Sequence, residues 1–253
     1  MLVLLPPSET KRPGGVGGPL APGTLALPEL DGTRMRVRDA LVALSADPDA
    51  AARVLKLGPK QRGEVEVNAA LPQAPTLPAV DRYTGVLFDA LDAATLDAAA
   101  RRWLGAHVMI HSAPFGPVGA LDPIPAYRLG AAASLPGLPS LRALWAQPVT
   151  TALAGMERPF VLDLRSEAYV GLGPLPGSVP SAYVRVVTDG ADGAVRALNH
   201  FNKHAKGALV RELAEGRPRV RTLSGLAGWL RERGHRVEEA AGEWRLFAAP
   251  RHT

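Results

Sequence analysis

The chain contains no cysteine, which excludes disulfides, thiolate metal ligands and a cysteine nucleophile together. It also lacks a long hydrophobic run. The opening apolar stretch stops at Pro6 after about one strand's length, has no basic residues before it and is followed by charge. Neither a signal peptide nor a membrane span is expected from it, and a cytoplasmic location is. A Walker phosphate loop, a GxSxG elbow, an HExxH helix and internal repeats are all missing. No cofactor is expected. Two histidine pairs offer no metal site. His107 and His111 flank an apolar strand that would hold their rings more than about 10 Å apart, and His200 and His204 straddle a strand-to-helix junction.

What is present is enough apolar material for a sizeable core, 47% of 253 residues, together with 24 Pro and 26 Gly, which imply short elements joined by many loops. The positive charge is localised. Residues 1 to 200 balance 18 Lys plus Arg against 18 Asp plus Glu, whereas residues 201 to 253 carry 11 against 6, so this terminal part supplies the whole net charge of +5. Such a segment suits an anionic partner, nucleic acid or phosphate, and equally an ordinary solvated basic face.

Apolar runs predict strands at Met1–Leu5, His107–Ser112, Phe160–Leu164, Ala182–Thr188, Ala194–His200 and Glu243–Ala248, the fourth and fifth joined as a hairpin through Asp189–Gly193. Helical periodicity predicts Val37–Ser45, Asp47–Leu57, Thr84–Leu91, Ala93–Leu104, Ser140–Ala154, Lys203–Glu215 and Leu223–Gly234. Pro13 to Pro28 reads as a long irregular loop. Strands and helices interleave without a regular βαβ period, so one compact domain over residues 1–253, with a mixed α/β (α+β) sheet rather than a doubly wound one, is expected.

Several apolar strands empty into polar residues, the place where open sheets hold ligands. Ser8, Glu9, Lys11 and Arg12 follow the first strand. Asp163, Arg165, Ser166 and Glu167 leave another, where a carboxylate serves as a base or, more plainly, clamps a cation. Asn202-Lys-His-Ala-Lys-Gly207 opens a helix with Lys203 and Lys206, cations that oppose the helix dipole unless an anion compensates them. Leu77-Pro-Ala-Val-Asp-Arg-Tyr-Thr-Gly85, leading into a helix, is similar to a helix-hairpin-helix turn. Ala79 and Asp81 stand where glycine would be sought, and a capped turn is the plainer account of it.

Taken in order, the Pro7-Ser-Glu-Thr-Lys-Arg12 turn, Tyr83-Thr-Gly85, Ser112–Gly116, Leu121-Asp122, Tyr127-Arg-Leu129, Trp145, Asp163–Tyr169 and Lys203–Gly207 resemble the YaaA family of peroxide-stress proteins over nearly the whole chain. The resemblance implies a single α/β fold around a positively charged cleft, a peroxide-stress role and binding of DNA aided by a helix-hairpin-helix element, here at residues 77–91. It assigns Ser8, Lys11, Tyr83, Arg128, Lys203 and Lys206 to phosphate or ligand binding, with Tyr127, Ser166 and Glu167 as catalytic candidates. Two functions follow: a protein that binds DNA or another phosphate-bearing ligand, or an enzyme acting on a phosphorylated or nucleotide-like small molecule in the same cleft.

Overall fold

A computed structural model describes residues 1–189, 195–197, 199–240 and 243–247. The chain opens with β1 (Leu2–Leu5) and, after a long loop, three helices, α1 (Asp31–Leu44), α2 (Pro48–Val54) and α3 (Glu64–Ala69). Next come β2 (Thr76–Pro78), α4 (Ala79–Arg82), α5 (Val86–Leu91) and α6 (Ala98–His107), then β3 (Val108–Ser112), β4 (Gly116–Gly119) and β5 (Pro123–Pro125). The remainder is α7 (Leu141–Ala154), β6 (Val161–Asp163), α8 (Glu167–Val170), β7 (Ser181–Asp189), β8 (Val195–Ala197), α9 (Asn199–Gly216), α10 (Leu223–Arg231), β9 (Val237–Ala240) and β10 (Glu243–Phe247).

The main sheet is mixed. Its order is β4-β3-β1-β6-β7-β10-β9, with β8 pairing β7. Five strands, β3, β1, β6, β7 and β10, run parallel, and β4, β8 and β9 are antiparallel additions. All four residues of β1 are buried, the signature of a strand covered on both faces, which is why it reads as an unbroken apolar run. The three strands that begin near Met1, His107 and Phe160 are neighbours, with Leu4 level with both Met109 and Asp163. Their carboxyl ends therefore open on one edge.

The topology marks one point on that edge. The chain leaves β1 for β3 on one flank and leaves β6 for β7 on the other. Between β1 and β6 the connecting segments diverge, the position in an open sheet where ligands are commonly held. The loops facing it are those that begin at Pro6 and at Leu164.

Most expected elements form, with informative differences. His107 ends α6 instead of starting β3; its ring stacks on Trp103 with centroids 4.5 Å apart and its Nδ1 meets the Trp103 carbonyl at 3.0 Å. The helix expected from Ala93 is broken at Leu96-Asp97, because the Asp97 carboxylate accepts from the Ala100 N–H at 2.7 Å and caps a new start there. The strand expected to reach His200 ends at Ala197, and α9 begins at Asn199, four residues before the expected Lys203. β7 and β8 pair antiparallel, Val187 with Ala197; of the expected Asp189–Gly193 turn, Asp189 belongs to β7 and 190–193 lie outside the described residues. Residues 79–82 form a one-turn helix that the hairpin reading did not anticipate.

Among the described residues no helix is long and apolar enough to cross a membrane, and no group of three or more His, Asp or Glu is placed to hold a metal ion.

Candidate functional site

The loop after β1 is held in place by its neighbours. Arg12 N–H donates to the Arg82 carbonyl at 2.8 Å, Thr84 N–H donates to the Thr10 carbonyl at 3.2 Å, and Lys11 forms a bridge with Tyr83. Arg82 is wholly buried, and its guanidinium donates to four carbonyls, those of Arg12, Gly14, Pro75 and Ile124. A buried guanidinium is tolerated when its donors are satisfied; here it fixes the backbone beside Lys11. Gly85 closes the same corner at φ +93°, where a Cβ would also approach the hydroxyls of Ser8 and Thr10 at 3.3 Å.

Lys11 lies at the centre. Its Nζ donates to the carbonyls of Ser8 at 3.0 Å and Glu9 at 3.2 Å, and sits 4.0 Å from the Tyr127 ring centroid and 5.5 Å from that of Tyr83. Among the described residues no carboxylate is within ion-pair distance of it. Glu9, the adjacent acid, pairs with Arg128 at 3.3 Å. Burial, helped by the Arg128 and Arg82 charges, brings the Lys11 ammonium down to about 7 against the opposing pull of Glu64 and Glu9.

Beneath it, Tyr83 and Tyr127 are buried at 3% and 1% exposure with their hydroxyl oxygens 2.7 Å apart, and Ser112, at the end of β3, is a further hydroxyl neighbour of both. Burial raises both phenols well above their ordinary range, so they remain neutral donors and acceptors. Arg128 is oriented through its backbone, since Asn68 accepts from its N–H at 2.7 Å and donates to its carbonyl at 2.9 Å.

On the β6 side the Arg165 guanidinium grips the Asp163 carboxylate through Nε and Nη2 at 2.9 and 2.6 Å. Its Nη1 donates to the Gly173 carbonyl at 2.9 Å and to His111 Nδ1 at 3.0 Å. Arginine has no acceptor, so His111 Nδ1 must accept and the ring proton sits on Nε2. That Nε2 is buried and, among the described residues, has no hydrogen-bond partner. Burial and the Arg165 charge hold the imidazole well below its ordinary value, neutral near pH 7. Tyr169 lies over it at 5.9 Å between ring centroids.

Lys206 comes from α9. Gly207 permits the approach, because a Cβ there would meet the Leu87 carbonyl oxygen of α5 at 2.0 Å. Lys206 is only 4% exposed, yet among the described residues its ammonium makes neither a hydrogen bond nor an ion pair; its nearest named contact is the Tyr183 ring at 5.7 Å. Burial lowers it to about 8, opposed by the Asp163 carboxylate and assisted by Arg185. Tyr183 is level with Asp163 across β6 and β7. All four tyrosines of the chain are thus associated with this edge, together with Lys11, Arg128 and Lys206.

The remaining expected residues are more peripheral. Lys203 and Ser166 are exposed, Ser8 is partly exposed, and Glu167 is exposed and paired with Arg185 at 3.0 Å. In the hairpin the N–H groups of Tyr83, Thr84 and Gly85 already donate to the Ala79 carbonyl, the Thr10 carbonyl and the Asp89 carboxylate. Asp81 is clamped by Arg101 at 2.6 Å. The surface recesses lined by Leu25, Arg34 and Phe115 and by Ala182, Ala227 and Trp244 contain none of the expected site residues. Residue reading did not single out Arg82, His111's link to Arg165, or Tyr183, because nothing local in the sequence distinguishes an arginine folded onto carbonyls from a solvated one.

The architecture is that of a mixed α/β protein with tyrosines and cations gathered at the carboxyl edge of its parallel strands. Comparison with known proteins matches residues 1–241 to the peroxide stress protein YaaA family, and the chain belongs to that family. It is 48% identical over 229 residues to a UPF0246 protein of Corynebacterium efficiens, covering 89% of each chain. It is 42% identical over 245 residues to a UPF0246 protein of Streptomyces coelicolor, covering 95% of this chain and 93% of that one.

Proposed function

We propose that the carboxyl-edge cleft binds a phosphate-bearing ligand in the service of peroxide-stress protection, and that a small phosphorylated or nucleotide-like molecule fits it better than duplex DNA. The observation carrying this reading is Lys206, a residue only 4% exposed whose ammonium, among the described residues, has no anion bonded to it. A buried cation is costly to hold unpaired, and an anionic ligand group would offset that cost. Arg128 supplies a further cation and Lys11 an amine that is partly protonated near pH 7, while the neutral hydroxyls of Tyr83, Tyr127 and Ser112 give a donor and acceptor set richer than phosphate alone requires.

DNA is the second reading, favoured by the exposed Lys203 and Arg12 at the rim and by the basic terminal segment. Duplex phosphates reach such groups readily and a nearly closed Lys206 poorly.

Filter binding of duplex DNA across a salt series, alongside calorimetric titration of mononucleotides, separates the two. Cleft binding of a small ligand is lost in Lys206→Met and kept in Lys203→Ala. DNA binding instead falls linearly in log-log terms with salt, and its slope flattens by roughly one unit when Lys203 is removed. Absence of binding to either probe at low salt would remove the phosphate reading.

A further inference from the structure

Resting on the phosphate-binding reading of the same edge, we propose that Lys11 is the amine nucleophile of the cleft, its Nζ forming an imine with a small aldehyde or ketone that also carries phosphate. The geometry is that of a lysine kept from ion pairing. Its carboxylate neighbour Glu9 is engaged by Arg128, and Nζ is bonded only to two main-chain carbonyls. A neutral amine has two hydrogens and one lone pair. The carbonyls of Ser8 and Glu9 can take the two hydrogens, and no other oxygen or nitrogen among the described residues is bonded to Nζ, so in the neutral form the lone pair is unengaged. Desolvation beside aromatic rings and a neighbouring cation are the two arrangements that turn a lysine into a nucleophile at neutral pH. Both are present, the first from Tyr83 and Tyr127 and the second from Arg128 and Arg82.

The charged and titratable groups around Nζ come from every element packed on it: Glu9 on its own loop, Glu64 of α3, Arg82 of α4, Tyr83, and Tyr127 with Arg128 after β5. Their sum leaves burial dominant, and the amine loses its proton at about 7. Arg128 and Lys206 would then hold the phosphate.

The step balances without an oxidant or reductant. The nitrogen lone pair attacks the carbonyl carbon, the C–N bond forms as the carbonyl π bond breaks, and the oxygen gains a proton while the nitrogen loses one. The resulting carbinolamine expels its hydroxyl with one further proton as water, and the nitrogen gives up its second hydrogen. Amine plus carbonyl becomes imine plus water. The hydroxyls of Tyr83, Tyr127 and Ser112 supply neutral proton-transfer partners on the same side.

The test uses the full chain, pyridoxal 5′-phosphate as a phosphate-bearing aldehyde, pyridoxal as the same aldehyde without phosphate, borohydride reduction and peptide mapping. The chain has five lysines, of which Lys56, Lys60 and Lys203 are exposed. An ordinary lysine is only about 0.1% neutral at pH 7.5, so Lys11 is expected to be trapped at least about tenfold faster than these three. Lys11→Arg should abolish its own adduct and leave theirs unchanged. Should that variant fail to fold, the wild-type trapping rate at Lys11 must still rise with pH to a plateau, with its midpoint near 7. Labelling ordered by exposure, with Lys203, Lys56 and Lys60 ahead of Lys11, overturns the proposal. Equal trapping at Lys11 by both aldehydes keeps the imine and removes the phosphate requirement. Salt-sensitive binding of pyridoxal 5′-phosphate with no reducible adduct at Lys11 keeps phosphate binding and removes the imine.

Discussion

The hydroxyl oxygens of Tyr83 and Tyr127 are 2.7 Å apart although 44 positions separate the residues in the chain. One phenol donates and the other accepts, and both are closed to solvent. The pair joins the segment after α4 to the segment after β5 directly beneath Lys11. Removing either oxygen leaves the other buried with a bond unmade, so Tyr83→Phe and Tyr127→Phe should each destabilise by about 1–3 kcal/mol. The double variant should lose less than the sum of the two. Urea unfolding of the four proteins checks this, and strict additivity would mean that the hydroxyls do not interact energetically.

Asp163 and Arg165 form a pair whose side chains are 5% and 0% exposed. Breaking such a pair strands a buried charge, at about 3–5 kcal/mol. Asp163→Ala and Arg165→Ala are therefore each expected to lower the unfolding midpoint sharply, whereas Glu167→Ala, which removes the exposed Arg185 contact, should change stability by no more than about 1 kcal/mol. Equal effects at the two sites would contradict the burial argument.

His111 should remain neutral as the pH falls through the ordinary imidazole value of about 6.5, with its proton on Nε2. The folded value lies well below 6.5 because of burial and the Arg165 charge. As pH falls through the unfolded value of about 6.5, the unfolded chain takes up a proton that the folded imidazole refuses, so this group makes stability decline toward acid. Nitrogen-15 spectra of the imidazole report tautomer and charge directly; an imidazolium signal at pH 6 would sink the assignment.

Lys11 acts with the same sign over a higher pH window. Its folded value of about 7 lies below the ordinary 10.5, so between those limits the unfolded chain holds a proton that the folded chain has lost. Stability from this group must rise with pH across that interval, and its cost is fully present below about pH 7. Lys11→Met removes the titration. The unfolding free energy of wild type minus that of the variant should therefore rise steadily from pH 7 to 10, and a pH-independent difference would show that Lys11 is not desolvated.

The sequence by itself determined the elements whose cause is local. Leu2–Leu5, Val108–Ser112 and Val161–Asp163 are apolar runs ended by proline or polar residues, and Ser140 and Thr222 start helices by accepting from N–H groups three residues on. Periodicity and capping act over a few residues, so they can be read along the chain. It also carried the family resemblance and the expectation that polar residues follow β1 and β6. Short pieces such as β2, β5 and α4 escaped, since three or four residues hold no period and form only because partners elsewhere complete their hydrogen bonds.

Tertiary structure alone decided which polar residues meet. Lys203 and Lys206 look alike on one helix, yet the first faces solvent and the second is buried against Tyr183, because Gly207 lets α9 close on α5. Arg82, within the hairpin-like segment, and Arg165, at the end of a strand, are both wholly buried. Nothing local records whether four carbonyls or a carboxylate will be waiting. Burial and charge environment are properties of the packed whole, and they depend on contacts between residues tens of positions apart. The lowered proton affinity of Lys11 is the clearest case: its residue type and neighbours in sequence predict an ordinary ammonium, and only the closure of Tyr83, Tyr127 and Arg128 around it makes it otherwise.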